Sequence, residues 1–205
     1  MPSSASRGRW TQRVLSLVAL VASVEGALNG WLISRLHEGA VTTTAVGTYL
    51  RLSLLLNVLV VLATGLSALF FLRWLHLAVR TAKMLGLEPG TTPGWAVGWW
   101  FVPLANLYDP YLVVRGLWLC LGGSPKAGAS VSTWWTAWVL SVVAWCVQVY
   151  LLGTLAMDPF QFTPALLAGF VTGVLITLGA LLCMRVIGQV QTLIDECMDE
   201  VAEAA

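Results

Sequence analysis

Five polar side chains stand singly inside long apolar stretches of this sequence, and they are the first candidates for chemistry. They are Glu25, Asn29, Asn57, Gln148 and Thr172. A carboxyl group surrounded by amides and hydroxyls can bind a cation or pass a proton if the fold brings these groups together. The same groups can instead hydrogen-bond between helices and serve packing alone. The pattern favours packing, and a proton or cation site at Glu25 is the alternative.

A second set of candidates interrupts the apolar stretch of residues 95–121. It comprises Pro103, Asn106, Asp109, Pro110 and Arg115. A proline lacks a backbone donor and disfavours a helical conformation in the residue before it, so we expect the stretch to break. We expect Asn106 and Asp109 to cap the helix that starts near Pro110. Asp109 and Arg115 are a weaker candidate for a site that binds a charged headgroup.

A third set is a basic stripe, which consists of Arg73, His76, Arg80 and Lys83. Residues spaced by three or four positions share one side of a helix, so these four fall in a narrow sector. Such a stripe suits the surface of an anionic membrane. Simple anchoring of a helix end is the favoured interpretation, and recognition of a specific lipid or partner is the alternative.

The groups required for catalysis are not arranged as they would be in a known active site. The four cysteines lie far apart along the chain, without the spacing of a metal site or a disulfide framework. Paired carboxylates occur only near the C-terminal end, and no phosphate-binding glycine loop is present. We therefore predict no catalytic residue, no metal and no cofactor.

The composition defines the elements that must position these residues. Hydrophobic residues make up 58% of the 205 residues, charged residues only 10%, and the mean hydropathy is +0.82. A soluble domain carries roughly 25% charge, so this chain cannot cover a surface that faces water. Crossing a bilayer takes about 20 apolar helical residues, and the ranges 14–34, 52–72, 133–155 and 164–187 meet that requirement. We predict an all-α integral membrane protein that forms a single domain with four transmembrane helices.

The positive charges predict the orientation, because cytoplasmic loops hold the excess of Lys and Arg. If residues 95–121 form a re-entrant or interfacial segment, nine cations lie inside and two, Arg35 and Arg51, lie outside. The nine are Arg7, Arg9, Arg13, Arg73, Arg80, Lys83, Arg115, Lys126 and Arg185. Both termini would then be cytoplasmic, and residues 188–205 would form an acidic amphipathic tail. A kinked helix that crosses fully at 95–121 is the alternative.

The run from Thr92 to Phe101, TPGWAVGWWF, is followed by Pro103, Asn106-Leu107 and Pro110-Tyr111. This pattern closely resembles the hallmark of a bacterial membrane domain family that is known only as a domain of unknown function. The resemblance implies a small multi-span bacterial protein, and we expect it in the cytoplasmic membrane. It implies no activity.

For function, the sequence favours a non-enzymatic scaffold or accessory subunit that packs with itself or with a larger membrane complex. A small ion or proton channel or transporter that uses Glu25 is the alternative. An enzyme acting on lipid would need Asp109, Arg115 or His76 to converge. The expected partners are the lipid bilayer and a second copy or another membrane protein. A net charge of +1 gives no reason to expect nucleic acid.

Overall fold

The computed structural model describes residues 4–124, 129–155 and 162–203, and within these ranges all regular structure is helical. Lys126 and the last two residues of the predicted tail lie outside the described residues. The helices are α1 (Ser4–His37), α2 (Thr43–Met84), α3 (Pro93–Gly98), α4 (Asp109–Cys120), α5 (Ala129–Leu155) and α6 (Phe162–Glu203), with 3₁₀ turns at Trp99–Phe101 and Ala105–Leu107.

Four of these helices, α1, α2, α5 and α6, are long and apolar enough to cross a membrane. The predicted fold class is therefore confirmed. The helices extend beyond the predicted apolar spans because a helix continues through polar sequence until something stops it. Gly86 stops α2: its φ is +77°, its N–H bonds the carbonyl of Lys83, and the N–H of Leu87 bonds the carbonyl of Ala82. These are the two hydrogen bonds of a Schellman motif.

The surface of α2 shows which solvent the chain requires. Leu54, Leu62 and Leu69 are 69%, 63% and 67% exposed. In the most apolar 18 residues of each helix, only 22% of the residues of α2 and 17% of those of α5 are buried inside the protein. Leaving this much contiguous apolar surface in water is strongly unfavourable, whereas lipid tails solvate it. The exposed faces of α2 and α5 are those of a membrane protein.

The chain divides into two compact units, and the long helices contribute to both. Unit 1 comprises residues 1–15, 66–135 and 182–205, and unit 2 comprises residues 16–65 and 136–181. In unit 2, α1 and α6 cross at a pair of glycines. A Cβ atom added to Gly173 would lie 2.8 Å from the carbonyl oxygen of Ala22 and 2.9 Å from the Cα of Gly26. The small-residue pairs of α1 and α6 thus serve packing within the chain.

Unit 1 has an aromatic core. Phe71 packs against Trp100 and Trp134 with ring centroids 5.5 and 5.7 Å apart, and Trp135 packs against Trp100 at 5.8 Å. The end of α6 belongs to the same unit, where Val190 and Ile194 are fully buried. The Nε1 of Trp74 donates to the side chain of Gln191 at 3.5 Å. Within unit 1, the predicted tail therefore packs against α2.

Candidate functional site

Glu25 is the centre of a polar layer in unit 2. Its side chain is only 6% exposed, and its Oε1 accepts a hydrogen bond of 2.7 Å from the Nδ2 of Asn57. The same amide also donates to the carbonyl of Ser53, one turn earlier in α2. The carboxyl group of α1 is therefore held by an amide of α2 that is itself fixed by its own helix. Two of the five candidate residues, Glu25 and Asn57, are thus in direct contact.

Asn29 continues this layer one turn further along α1. Its Nδ2 donates to the carbonyl of Glu25 at 2.9 Å, and its Oδ1 accepts from the hydroxyl of Tyr49 at 2.8 Å. Tyr49 is buried, and it was not among the predicted residues because it precedes the predicted span 52–72. The available signal was its spacing: Tyr49, Ser53 and Asn57 recur every four residues and so share one side of α2.

Gln148 and Thr172 differ in their relation to the layer. Gln148 is buried, and a Cβ added to Gly169 would lie 2.9 Å from its Nε2 and 3.1 Å from the side chain of Asn29. The missing side chain of Gly169 thus makes room for both amides. Thr172 is also buried, but its hydroxyl donates to the carbonyl of Ala168 in its own helix. The layer therefore includes Gln148 beside Asn29, whereas the hydroxyl of Thr172 serves its own helix.

A cleft of about 520 Å³ lies beside this layer in unit 2. It is lined by Leu28, Trp31, Thr42, Thr44, Ala45, Thr48, Tyr49 and Leu52. Among the described residues that line it none is charged, and four of them carry hydroxyl groups. Because Tyr49 lines the cleft and bonds Asn29, a short series of hydrogen bonds leads from a cleft residue to the backbone of Glu25.

The interrupted segment begins with a capped helix and then turns sharply. The hydroxyl of Thr92 accepts from the N–H of Trp95 and caps α3. At Pro103 the chain breaks, and the N–H of Ala105 bonds the carbonyl of Pro103 at 2.8 Å across Leu104. Leu104 has φ +66° and ψ −46°, which is close to the conformation of a classic γ-turn. Such a turn is rare and strained in a residue with a side chain.

The predicted caps of α4 are wrong. The helix starts at Asp109 after Tyr108, which makes no side-chain capping bond, and Pro110 occupies the second helical position. A capping side chain bonds the N–H of the second or third helical residue, and Pro110 has no N–H at that position. Asp109 therefore lies within the first turn, where a carboxylate is favoured by the helix dipole. The Oδ1 of Asn106 is buried and has no hydrogen-bond partner among the described residues.

Arg115 pairs with an aromatic ring rather than with Asp109. Its Nη1 donates to the hydroxyl of Tyr111 at 3.3 Å, and its guanidinium lies 5.9 Å from the centre of that ring. Among the described residues, the one ion pair joins Arg35 to Glu38. Asp109 and Arg115 are six positions apart in α4, which places them on different sides of the helix. The suggested site made by these two residues is therefore not formed.

The basic stripe is present on α2, with Arg73, Arg80 and Lys83 exposed. His76 is half-buried, and its Nδ1 lies 3.0 Å from the carbonyl oxygen of Pro93, so it links α2 to the start of α3. His76 thus contacts backbone and Arg115 contacts Tyr111. The structure does not bring these two residues together into one reactive group.

The fold and this site define a helical membrane protein with four helices of transmembrane character. The chain belongs to the family described as a domain of unknown function (DUF4328), to which residues 37–192 match. No curated protein and no solved structure matches the chain.

Proposed function

We propose that this chain is a non-enzymatic scaffold or accessory subunit of a bacterial cytoplasmic membrane, and that it packs with a second copy of itself. The observation that carries the proposal is a pair of oppositely charged surfaces on unit 1. The basic surface is Arg73, Arg80 and Lys83 on α2, and the acidic surface is Asp195, Glu196, Asp199 and Glu200 on α6. All seven side chains are exposed, and none forms an ion pair within the described ranges.

Each copy therefore carries both halves of a complementary contact. Complementary surfaces guide association and fix its register, even where individual exposed pairs add little affinity. Apolar side chains lie among the acids, because Met198 and Val201 are 47% and 55% exposed. Contact between copies through this part of α6 would remove that apolar surface from water. A larger membrane complex that presents a basic surface is the other partner this arrangement would suit.

The proposed topology places both chain ends and the connection between α2 and α3 in the cytoplasm and the α1–α2 connection outside. Glu38 and Glu88 are exposed residues on either side of α2 and test it. In a cysteine-free variant, Glu38→Cys should react with an impermeant maleimide in intact cells, whereas Glu88→Cys should react only after lysis. Labelling of both positions in intact cells, or of neither, would contradict the topology.

Self-association is tested by native mass spectrometry and cross-linking of the full chain in nanodiscs at increasing protein-to-disc ratio. Asp195→Lys with Asp199→Lys should reduce the dimer, because they place cations against the basic surface. Acidic residues contribute little to topology, so these changes keep the insertion of the helices. Adding Arg80→Glu and Lys83→Glu should restore the dimer, and Arg51→Gln, an exposed cation elsewhere on α2, should leave it unchanged. A wild-type chain that stays monomeric under all these conditions would refute the proposal.

A proton or cation path at Glu25 is the second candidate function, favoured by the buried carboxyl group of Glu25 and by the nearby cleft, whose Tyr49 bonds Asn29. Ionisable residues inside membrane spans mark ion and proton paths in transporters. In liposomes that hold a pH-sensitive dye, Glu25→Gln should abolish any flux while keeping the acceptor oxygen that Asn57 bonds. Equal flux from wild type and Glu25→Gln would remove this candidate.

A further inference from the structure

The interrupted segment carries an apolar tip that no described residue of unit 1 covers. Phe101, Leu104 and Leu107 are 73%, 84% and 56% exposed, and Tyr108 beside them is 60% exposed. These four residues fall within eight consecutive positions, so the exposed apolar surface is contiguous along the chain. A cluster of this kind marks a surface that contacts another molecule or a membrane.

The tip is held in place by the surrounding structure. The γ-turn at Leu104 turns that side chain outward at φ +66°. Behind it, the Nε1 of Trp135 donates to the carbonyl of Leu107 at 3.1 Å, and the ring of Trp135 packs against Trp100. A strained residue persists only where its surroundings enforce it. The anchoring by Trp135 supplies that support, so the exposed leucine is presented by the fold.

A cation and two tyrosines follow Leu107: Tyr108 directly precedes α4, and Tyr111 and Arg115 lie on it. Tyr108 and Tyr111 have ring centroids 6.2 Å apart, and Arg115 lies over the Tyr111 ring with its Nη1 bonded to the tyrosine hydroxyl. Arg115 is exposed, and no carboxylate of the described chain lies within ion-pair distance of it. The other N–H groups of its guanidinium can donate to an oxyanion. A guanidinium binds two oxygens of a phosphate in a bidentate contact.

We propose that this segment is a binding site for an anionic phospholipid. Phe101, Leu104 and Leu107 contact the acyl chains, and Arg115 binds the phosphate from its position on the Tyr111 ring. Tyrosine rings favour the headgroup level of a bilayer, between the apolar core and water, so Tyr108 and Tyr111 mark the depth of the site. The phosphate-binding cation and the apolar tip are joined by less than two turns of α4, which matches the continuity of headgroup and chain in one lipid. The site does not depend on whether the chain self-associates.

The full chain is placed in nanodiscs of phosphatidylcholine alone or with phosphatidylglycerol, and the lipid retained on gentle ejection is measured by native mass spectrometry. Wild type should retain phosphatidylglycerol selectively. Arg115→Gln should lower that retention roughly fivefold, the effect of one cation near an anionic surface. Arg115→Lys should recover part of it, and Arg51→Gln, a matched exposed arginine on α2, should behave as wild type. Equal retention by wild type and Arg115→Gln would overturn the proposal.

Two further measurements distinguish an inserted lipid site from a surface site for a free anion. Leu104→Glu should raise hydrogen exchange at residues 101–108 in nanodiscs and should also lower lipid retention, whereas unchanged exchange would contradict insertion of the tip. Inorganic phosphate added in solution should not displace the lipid. If it does so as effectively as excess phosphatidylglycerol, the site is one for a free anion and the assignment to lipid fails. Helix content and elution volume of each variant establish that the fold is kept.

Discussion

The amide of Asn57 donates to the carboxyl group of Glu25 at 2.7 Å and so joins α2 to α1 within unit 2. A second hydrogen bond joins the same two helices: the hydroxyl of Tyr49 on α2 donates to the Oδ1 of Asn29 on α1 at 2.8 Å. Polar groups at membrane depth are costly unless they are paired, and here each of these two contacts pairs a group of one helix with a group of the other. The polar layer therefore fixes the register of α1 against α2, whatever else Glu25 does.

Removing the donor to Glu25 should weaken the fold. Asn57→Leu leaves the buried carboxyl without its partner, so we expect a loss of about 1–3 kcal/mol in the free energy of unfolding. The measurement is reversible unfolding in mixed micelles as the share of denaturing detergent is raised. Thr154→Val is the control, because that hydroxyl is exposed and bonds only carbonyls of its own helix in the described structure. In a double-mutant cycle with Glu25→Leu, which removes the acceptor oxygen, a coupling near zero would contradict a direct contact.

The crossing of α1 and α6 should be sensitive to a single methyl group. Gly173→Ala places a Cβ within 3 Å of backbone atoms of Ala22 and Gly26, which cannot move without separating the helices. Overpacking of this kind costs typically 1–3 kcal/mol. Gly153→Ala is the matched control, since nothing lies within 4 Å of its added Cβ, and it should be neutral or slightly stabilising. Equal stability of the two variants would refute the close approach of α1 and α6.

The contrast between Glu25 and Leu104 shows how far sequence reasoning reaches. The sequence identified Glu25, Asn29, Asn57 and Gln148 as candidates, because a polar side chain inside an apolar span is recognisable from the sequence alone. Tyr49 was missed since the span was placed by hydropathy alone, whereas α2 begins earlier, at Thr43. The break at Pro103 was predictable from the chemistry of proline, but the γ-turn at Leu104 was not, because anchoring by Trp135 is a contact across 28 positions. The caps were wrongly predicted because the starting residue of α4 was not known.

The hydrogen bond from Trp135 should hold the interrupted segment in its observed conformation. Trp135→Phe keeps a ring in the aromatic core but loses the bond from Nε1 to the carbonyl of Leu107. We expect a stability loss of about 1 kcal/mol, the usual net value of one hydrogen bond. We also expect faster hydrogen exchange of residues 104–108 in nanodiscs. Trp145→Phe serves as the control, since Trp145 is 44% exposed on α5. The same exchange rate in both variants would show that the bond does not anchor the tip.

The thiol of Cys120 on α4 should make the stability of the fold depend on pH in the alkaline range. Burial, with a smaller contribution from nearby Cys197, raises the pKa of Cys120 from 9.0 to about 11. In the unfolded chain the thiol ionises first, so the unfolded state binds fewer protons between these two values. Stability therefore falls as pH rises in that window. The contribution of the protonated thiol to the free energy of unfolding is fully present below pH 9 and is lost as pH passes through 11.

Two measurements check this pH dependence. Unfolding of wild type should become easier between pH 9 and 11 relative to Cys120→Ser, which lacks the titrating group. At neutral pH the folded chain should react with iodoacetamide at Cys120 far more slowly than the unfolded chain, because the thiolate is the nucleophile and its fraction is roughly a hundredfold smaller. Mass spectrometry of the peptide that contains Cys120 reports the rate. Parallel pH curves for wild type and Cys120→Ser, together with equal alkylation before and after unfolding, would contradict a buried thiol at this position.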